Sequence, residues 1–284
     1  MTLEIDNQVL LKLNEWEGKE CFPSSLGLYR DLLSIAANAR LKIGIPLIKA
    51  DKEAIDLRLR EGRSLLDFES LAIDWNLFQD LVKQVVVVMK RLPELYDRLP
   101  EDLSEVYDLK SIAKAWYCGD QLEKYECKEN DLSLILHAAL RPFLSVCSEA
   151  LLKLVDEDLW RRGYCPICGG SPDLAFLDKE SGARHLVCNR CDAEWRFQRM
   201  ECPHCGNQDQ NTLAYFTGDS ARYRLYVCEN CRNYLKAIDL RCSEDQFLIP
   251  LERFLTFDLD VQAREKGYLQ QTNHRAPYAS CNLS

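Results

Sequence analysis

The run Cys165-Pro-Ile-Cys168-Gly169, with Cys188-Asn-Arg-Cys191 behind it, decides how this chain is read. It returns downstream as Cys202-Pro-His-Cys205-Gly206 with Cys228-Glu-Asn-Cys231 behind it. Between Cys168 and Cys188 lie 19 residues, and between Cys205 and Cys228 lie 22. The copies are offset by 37 residues at the first pair and 40 at the second, so one loop is three residues longer. The likeness continues inside, where Ser181-Gly-Ala-Arg-His-Leu-Val-Cys188 parallels Ser220-Ala-Arg-Tyr-Arg-Leu-Tyr-Val-Cys228. Self-similarity of this kind marks the internal duplication of a small unit.

The spacing has a chemical reason. Two residues between cysteines make a tight turn that aims both sulfurs at one point. The glycine after Cys168 and Cys205 can take the positive φ such a turn needs, bringing backbone N–H groups up to the thiolates. Two such turns on facing hairpins supply four thiolates in a tetrahedron, a donor set that suits zinc or a single iron. Neither copy is large enough for a hydrophobic core of its own. A structural zinc contributes about 10–16 kcal/mol of apparent binding energy, enough to hold such a unit together. The duplication favours two ions with four cysteine ligands each. Cys165, Cys168, Cys188 and Cys191 then hold one, and Cys202, Cys205, Cys228 and Cys231 the other, with an interleaved pairing left open. His204 sits between two of these cysteines and is expected to point away from the metal. His185 and His137 are read as ordinary histidines, and Cys242 and Cys281 as unpaired thiols.

Outward from the repeat, the texture changes. The chain holds 14 cysteines, and Cys21, Cys118, Cys127 and Cys147 are scattered through the first 160 residues without a short paired spacing. In a reducing compartment a disulfide framework would not persist, so metal binding or redox chemistry is the expectation for the paired ones. The first part reads as helical. Leu132, Ile135, Leu136, Ala139, Leu140, Phe143, Leu144, Cys147, Leu151 and Val155 recur at three- and four-residue steps, with Pro142 inside the stripe predicting a kink or a break. A second stripe runs from Leu28 to Ile43, before Gly44 and Pro46. A third covers Leu77 to Leu92, and its run Val85-Val86-Val87-Val88 is read as helix from the periodicity around it. Pro250 opens a last helical pattern that ends at Gly267, before a polar tail. The fold class predicted is a mainly α N-terminal domain, two small tandem zinc-ribbon β modules, and a C-terminal helix. The boundaries fall at 1–160, 161–198, 199–241 and 242–284.

Composition excludes several functions. The formal net charge is −9, and the stretch from Cys165 to Arg241 holds 10 basic and 10 acidic residues, where a nucleic-acid footprint would be basic. No stretch reaches the roughly 18 uncharged apolar residues of a membrane span, and the opening residues predict no export signal. Without a Gly-rich phosphate loop, a His-Glu metalloprotease pattern or a nucleophile motif, nothing marks a conventional catalytic site.

At this point the residues resemble a known family. The first cysteine pair, then Leu186-Val-Cys188-Asn-Arg-Cys191-Asp-Ala-Glu194-Trp195 and Arg199-Met-Glu-Cys202, is similar to the FdhE family of formate dehydrogenase accessory proteins. Tyr234-Leu235-Lys236 and Asp260-Val-Gln-Ala-Arg264-Glu-Lys-Gly267-Tyr268 fit the same family, and Arg141-Pro142-Phe143 fits it upstream. The resemblance implies a helical N-terminal domain followed by two rubredoxin-like metal modules. It also implies a cytoplasmic, non-enzymatic maturation factor or chaperone that acts on the formate dehydrogenase catalytic subunit before export, and that binds iron through these eight cysteines. Asp192 and Arg232 stand where rubredoxin has glycine, which argues against a rubredoxin-type electron carrier. A redox or thiol-exchange protein is the second reading, and a nucleic-acid-binding zinc ribbon the third. Glu194, Trp195, Arg196 and Arg199 are the candidate partner surface, against the simpler reading that Trp195 packs on the metal turn.

Overall fold

The computed structural model describes residues 2–17, 19, 25–44, 51–120, 122, 129–217, 221–242 and 246–271. Ten helices are seen among them: α1 (Thr2–Trp16), α2 (Leu26–Arg40), α3 (Lys52–Arg60), α4 (Trp75–Met89), α5 (Pro93–Tyr96), α6 (Leu103–Val106), α7 (Leu109–Cys118), α8 (Glu129–Leu152), α9 (Ile249–Leu255) and α10 (Phe257–Glu265). Six strands lie between α8 and α9: β1 (Pro172–Leu177), β2 (Arg184–Cys188), β3 (Glu194–Phe197), β4 (Leu213–Thr217), β5 (Tyr223–Cys228) and β6 (Tyr234–Asp239). The chain divides into two compact units, one of residues up to 47 with 68–147, the other of 48–67 with residues from 148 onward.

The first unit is helical, as the three stripes predict. Asp74 caps α4 by accepting from Asn76 N at 3.0 Å and Leu77 N at 3.2 Å, which satisfies two N–H groups that a helix start leaves open. Along its valine run, Val85, Val86 and Val88 are buried while Val87 is 61% exposed, a helical face rather than strand alternation. The apolar stripe of α8 is the centre of the core: Leu132, Ile135, Leu136, Leu140 and Leu144 are fully buried. Its length and composition would suit a membrane span, but the buried stripe makes it a core helix. Pro142 does not break it; the helix continues to Leu152, and Ser145 Oγ donates to Pro142 O at 3.0 Å. Arg40 at the end of α2 pairs with Asp6 of α1 and donates to Ser145 Oγ of α8 at 3.1 Å, so one buried guanidinium ties three helices. Cys147 is a buried thiol and Cys118 is disulfide-bonded, while Cys21 and Cys127 lie outside the described residues.

In the second unit the two cysteine copies form halves of one sheet. Each copy folds as an antiparallel three-stranded meander, and the strand order is β3-β2-β1-β6-β5-β4. The halves meet where β1 pairs in parallel with β6, with Leu174 opposite Lys236, Ala175 opposite Ala237 and Phe176 opposite Ile238. The duplicated sequence thus makes a head-to-tail joint, the first strand of one copy against the last strand of the other. Gly163, ahead of the first copy, lies hard against the second: a Cβ there would stand 1.8 Å from Pro203 O.

Residues 52–67, which carry no cysteine, belong to this unit. Leu65 N donates to Pro166 O at 2.9 Å and Leu66 N to Ile167 O at 2.8 Å, so the segment runs along the first cysteine turn. Tyr164 Oη donates to Gly62 O at 2.8 Å, and Arg162 donates to Leu59 O and Arg60 O. The C-terminal helical pattern is two short helices divided at Thr256, and Gly267 stops the second with φ of 77°. Most of the polar tail, with Cys281, lies outside the described residues. From α9, Arg253 reaches back to the first copy. It pairs with Asp173 at 2.7 Å and with Asp192, and donates to Cys188 O at 2.8 Å, its side chain only 10% exposed.

Replacing Arg253 with alanine strands two partly buried carboxylates, so Arg253→Ala is expected to destabilise the protein by about 2–3 kcal/mol, below the cost of breaking a fully buried pair. Urea unfolding of the metal-loaded protein reads this directly. Gly163→Ala should also destabilise, because the atom it would meet is backbone and cannot swing aside.

Candidate metal centres

Four sulfurs gather at each copy. Cys165, Cys168, Cys188 and Cys191 form one group and Cys202, Cys205, Cys228 and Cys231 the other, all sulfurs of a group within 4.8 Å of one another. The grouping is sequential, and the interleaved alternative is not what the fold makes. Across the first group, Cys165 Sγ lies 3.6 Å from Cys191 Sγ, and Cys168 Sγ lies 3.5 Å from Cys188 Sγ. In the second, Cys202 Sγ is 3.8 Å from Cys231 Sγ and Cys205 Sγ 3.7 Å from Cys228 Sγ. A tetrahedron with metal–sulfur bonds of ~2.3 Å has edges of ~3.8 Å. The donor set and its spacing therefore fit a divalent ion in both places.

The turns repeat the same hydrogen bonds. Gly169 N donates to Cys165 O at 3.1 Å, Gly206 N to Cys202 O at 2.9 Å and Arg232 N to Cys228 O at 2.8 Å. Every turn ends on a left-handed residue: Gly169 at φ of 72°, Asp192 at 59°, Gly206 at 73° and Arg232 at 57°. Two of these are not glycine and carry the strain of that backbone region. Asp192 is held there by Arg253. Arg232 lies over the Tyr268 ring at 4.2 Å, pairs with Glu229 and donates to Lys266 O at 3.1 Å. So the missing glycines do not change the geometry; side-chain contacts replace their conformational freedom.

Dipoles aim at the sulfurs. Ile167 N points at Cys165 Sγ at 3.3 Å and Arg190 N at Cys188 Sγ at 3.4 Å. In the second group the donors are side-chain amides, Asn207 Nδ2 to Cys228 Sγ and Asn230 Nδ2 to Cys205 Sγ, both at 3.6 Å. Hydrogen bonds from Cys165, Cys188 and Cys191 bring the Cys168 thiol well below its usual value. Burial pushes Cys228 up, yet N–H donors of Cys231 and Asn230 and the Asn207 amide outweigh it and leave the thiol at about 7. Burial pushes the Cys165, Cys191, Cys202 and Cys231 thiols up instead, so each group holds one thiol that ionises readily beside others that need a cation before they give up their protons. Cys147, by contrast, is pushed by burial up to about 11 and is inert.

The groups differ in cover. All four sulfur-bearing residues of the first are buried. The 59–67 segment runs along its first turn, and the neighbouring Trp195 Nε1 donates to Arg162 O at 2.8 Å. In the second, Cys205 is exposed and Cys231 partly so. The histidines stand apart. His204 Nε2 lies 3.3 Å from Tyr234 O, His185 stacks on Phe176 at 5.0 Å, and His137 stacks on Trp116 at 5.8 Å. Cys242 is an exposed free thiol. Of the residues first considered as a partner surface, Trp195 is 2% exposed and so offers no surface to a partner. Glu194 is partly buried, and burial with the neighbouring Asp192 pushes its carboxyl up to about 7. Arg196 and Arg199 are exposed.

A helical region followed by one sheet with two four-thiol groups defines a tetrathiolate metal-module protein of the rubredoxin or zinc-ribbon kind. The FdhE central-domain family matches residues 164–199, the first copy. A protein named FdhE homolog from Aquifex aeolicus (strain VF5) is 29% identical over 266 residues, 89% of each chain. Another FdhE homolog, from Stutzerimonas stutzeri (strain A1501), is 31% identical over 147 residues, 48% of each chain. The crystal structure of the FdhE protein from Pseudomonas aeruginosa superposes with a TM-score of 0.61 over 95% of this chain and 94% of that one, at 21% identity, and so shows the same fold. These comparisons agree, and the chain is similar to FdhE proteins in sequence and shares the fold of one of them.

The unequal cover predicts unequal exchange. Loaded with zinc and challenged with a chelator, the protein should release one equivalent roughly tenfold faster than the other. Cys205→Ser should remove the fast phase and leave the slow one. A single phase for both ions would show that cover does not control access.

Proposed function

We propose that this protein is an accessory factor for formate dehydrogenase, binding the catalytic subunit in the cytoplasm before export and holding or maturing it there. The observation that carries this reading is the pair of four-thiol groups in a chain that matches the FdhE central domain. Each group takes one ion, iron or zinc. The first ion is held by Cys165, Cys168, Cys188 and Cys191, and the second by Cys202, Cys205, Cys228 and Cys231. An iron held by four thiolates supplies a one-electron couple, whereas zinc supplies only structure. The four-part organisation (1–160, 161–198, 199–241 and 242–284) belongs to the same proposal. In it the two modules, 161–198 and 199–241, present one joined surface to the partner.

The protein's own groups do three things in this account. Backbone and asparagine N–H donors stabilise the thiolates. Arg253 and the 59–67 segment keep the first centre closed. The exposed Cys205 leaves the second centre open to solvent or partner. That exposure also favours a second reading, a redox or thiol-exchange role for the second centre. Reversible voltammetry of the iron-loaded protein and alkylation of Cys205 test it; no redox wave and no reactive thiol would remove it.

Cells lacking the gene are expected to lose formate dehydrogenase activity while the catalytic subunit persists. The intact gene should restore activity, and forms with Cys→Ala changes at either four-thiol group should not. Unchanged activity in the deletion would overturn the proposal.

A further inference from the structure

A cavity of about 230 Å³ opens between the strand face of the second copy and the link from β3 to Cys202. Its floor is apolar, made by Leu213, Tyr226 and Leu235, with Met200 and Tyr215 at the mouth, each 52% exposed. Three guanidinium groups line it, of which Arg224 is paired with Asp239. Arg184 is 97% buried, donates to the backbone carbonyl of Glu201 at 2.6 Å, lies 5.1 Å from the centre of the Phe197 ring, and leaves its Nε without a hydrogen-bond partner. Arg199 is exposed and has no ion pair among the described residues. Glu201 lines the same cavity, but its carboxylate accepts from Gln208 at 2.9 Å. A buried cation with an unused donor, facing a second cation, is costly unless an anion arrives. A metal-loaded second centre would carry a net negative charge that offsets part of this cost, yet thiolates already bound to metal do not take up the Nε hydrogen bond.

The adjoining strand is unprotected. β4 ends the sheet, and no described strand pairs with its outer side. Its sequence, Leu213-Ala-Tyr-Phe-Thr217, has no charge, proline or bulge of the kind that guards most edge strands, and it exposes Tyr215 and Phe216. A free edge beside an apolar cavity is the arrangement by which a sheet accepts an added strand: main-chain bonds give affinity and the pocket gives specificity.

We infer that this edge and cavity bind an extended acidic-hydrophobic peptide segment of a partner protein, its main chain on β4, an apolar side chain on Leu213, Tyr226 and Leu235, and a neighbouring carboxylate on Arg184 and Arg199. The inference rests on the accessory-factor reading only in taking a polypeptide as partner. Charge complementarity selects an acidic segment, and the unpaired strand edge selects a polypeptide over a free anion.

The probe is a fluorescein-labelled heptapeptide, Ser-Thr-Leu-Glu-Val-Thr-Ser, titrated with the metal-loaded full chain and read by anisotropy. Changing its Glu to Gln should weaken binding about tenfold, the loss expected for one charge-assisted hydrogen bond. Arg184→Met should do the same with metal content unchanged. Arg199→Glu, an exposed change that spares folding, should reverse the preference so that the Lys-containing peptide binds better than the Glu-containing one. Equal binding of the Glu, Gln and Lys peptides, or binding indifferent to both arginines, overturns the inference. So does sedimentation showing that a second copy of the chain occupies the edge and excludes the peptide. Formate dehydrogenase activity is measured separately with Arg199→Glu in cells. Loss of peptide binding with activity intact would sink the pocket as partner site, whereas peptide binding in a protein that cells do not need would sink only the accessory-factor reading.

Discussion

Four thiols gathered at tetrahedral spacing in a protein interior repel one another once ionised, and a cation relieves that repulsion. This chain builds the constraint twice, with sulfur separations of 3.5–3.8 Å. The rest of the second unit follows from it. The half-sheets are too small to hold four tight turns by apolar burial alone, so their hydrogen bonds, left-handed residues and amide dipoles all converge on the sulfurs. Joining the halves through β1 and β6 then creates a shared core that neither has by itself, with Leu174, Val187 and Ile238 buried at the joint.

The duplicated halves have diverged in what surrounds them. The first copy is closed by elements from both directions along the chain: residues 59–67 on its first turn, and Arg253 of α9 under its second. The second copy keeps an exposed Cys205, an open edge strand and a cavity with unpaired positive charge. One half has become scaffold and the other has kept its surface, a common outcome when only one copy of a repeat is needed for contact.

Much of this was legible in the sequence. The Cys-x-x-Cys spacing gave both four-thiol groups, and the 3.6-residue stripes gave α2, α4 and α8, including the valine run that could have passed for a strand. Other features were not legible, for physical reasons. The hydrogen bonds of Leu65 and Leu66 to Pro166 and Ile167 cross some 100 residues of sequence, and such pairing leaves no local pattern. Likewise the parallel β1–β6 joint pairs strands that lie far apart in sequence, so no local pattern records it. Pro142 predicted a kink or a break, and the helix continues through it because the residues on both sides are pinned in the core. The left-handed Asp192 and Arg232 could not be foreseen, since residue type argued against them and only distant partners hold them.

X-ray absorption at the metal edge, with metal quantified per chain, tests the central claim most directly. The account predicts two ions per protein, each with four sulfur neighbours at about 2.3 Å. It further predicts one ion with the same sulfur shell after Cys202→Ala and Cys205→Ala together. A nitrogen or oxygen shell, or a stoichiometry that stays below one ion per chain in freshly loaded protein, would contradict it.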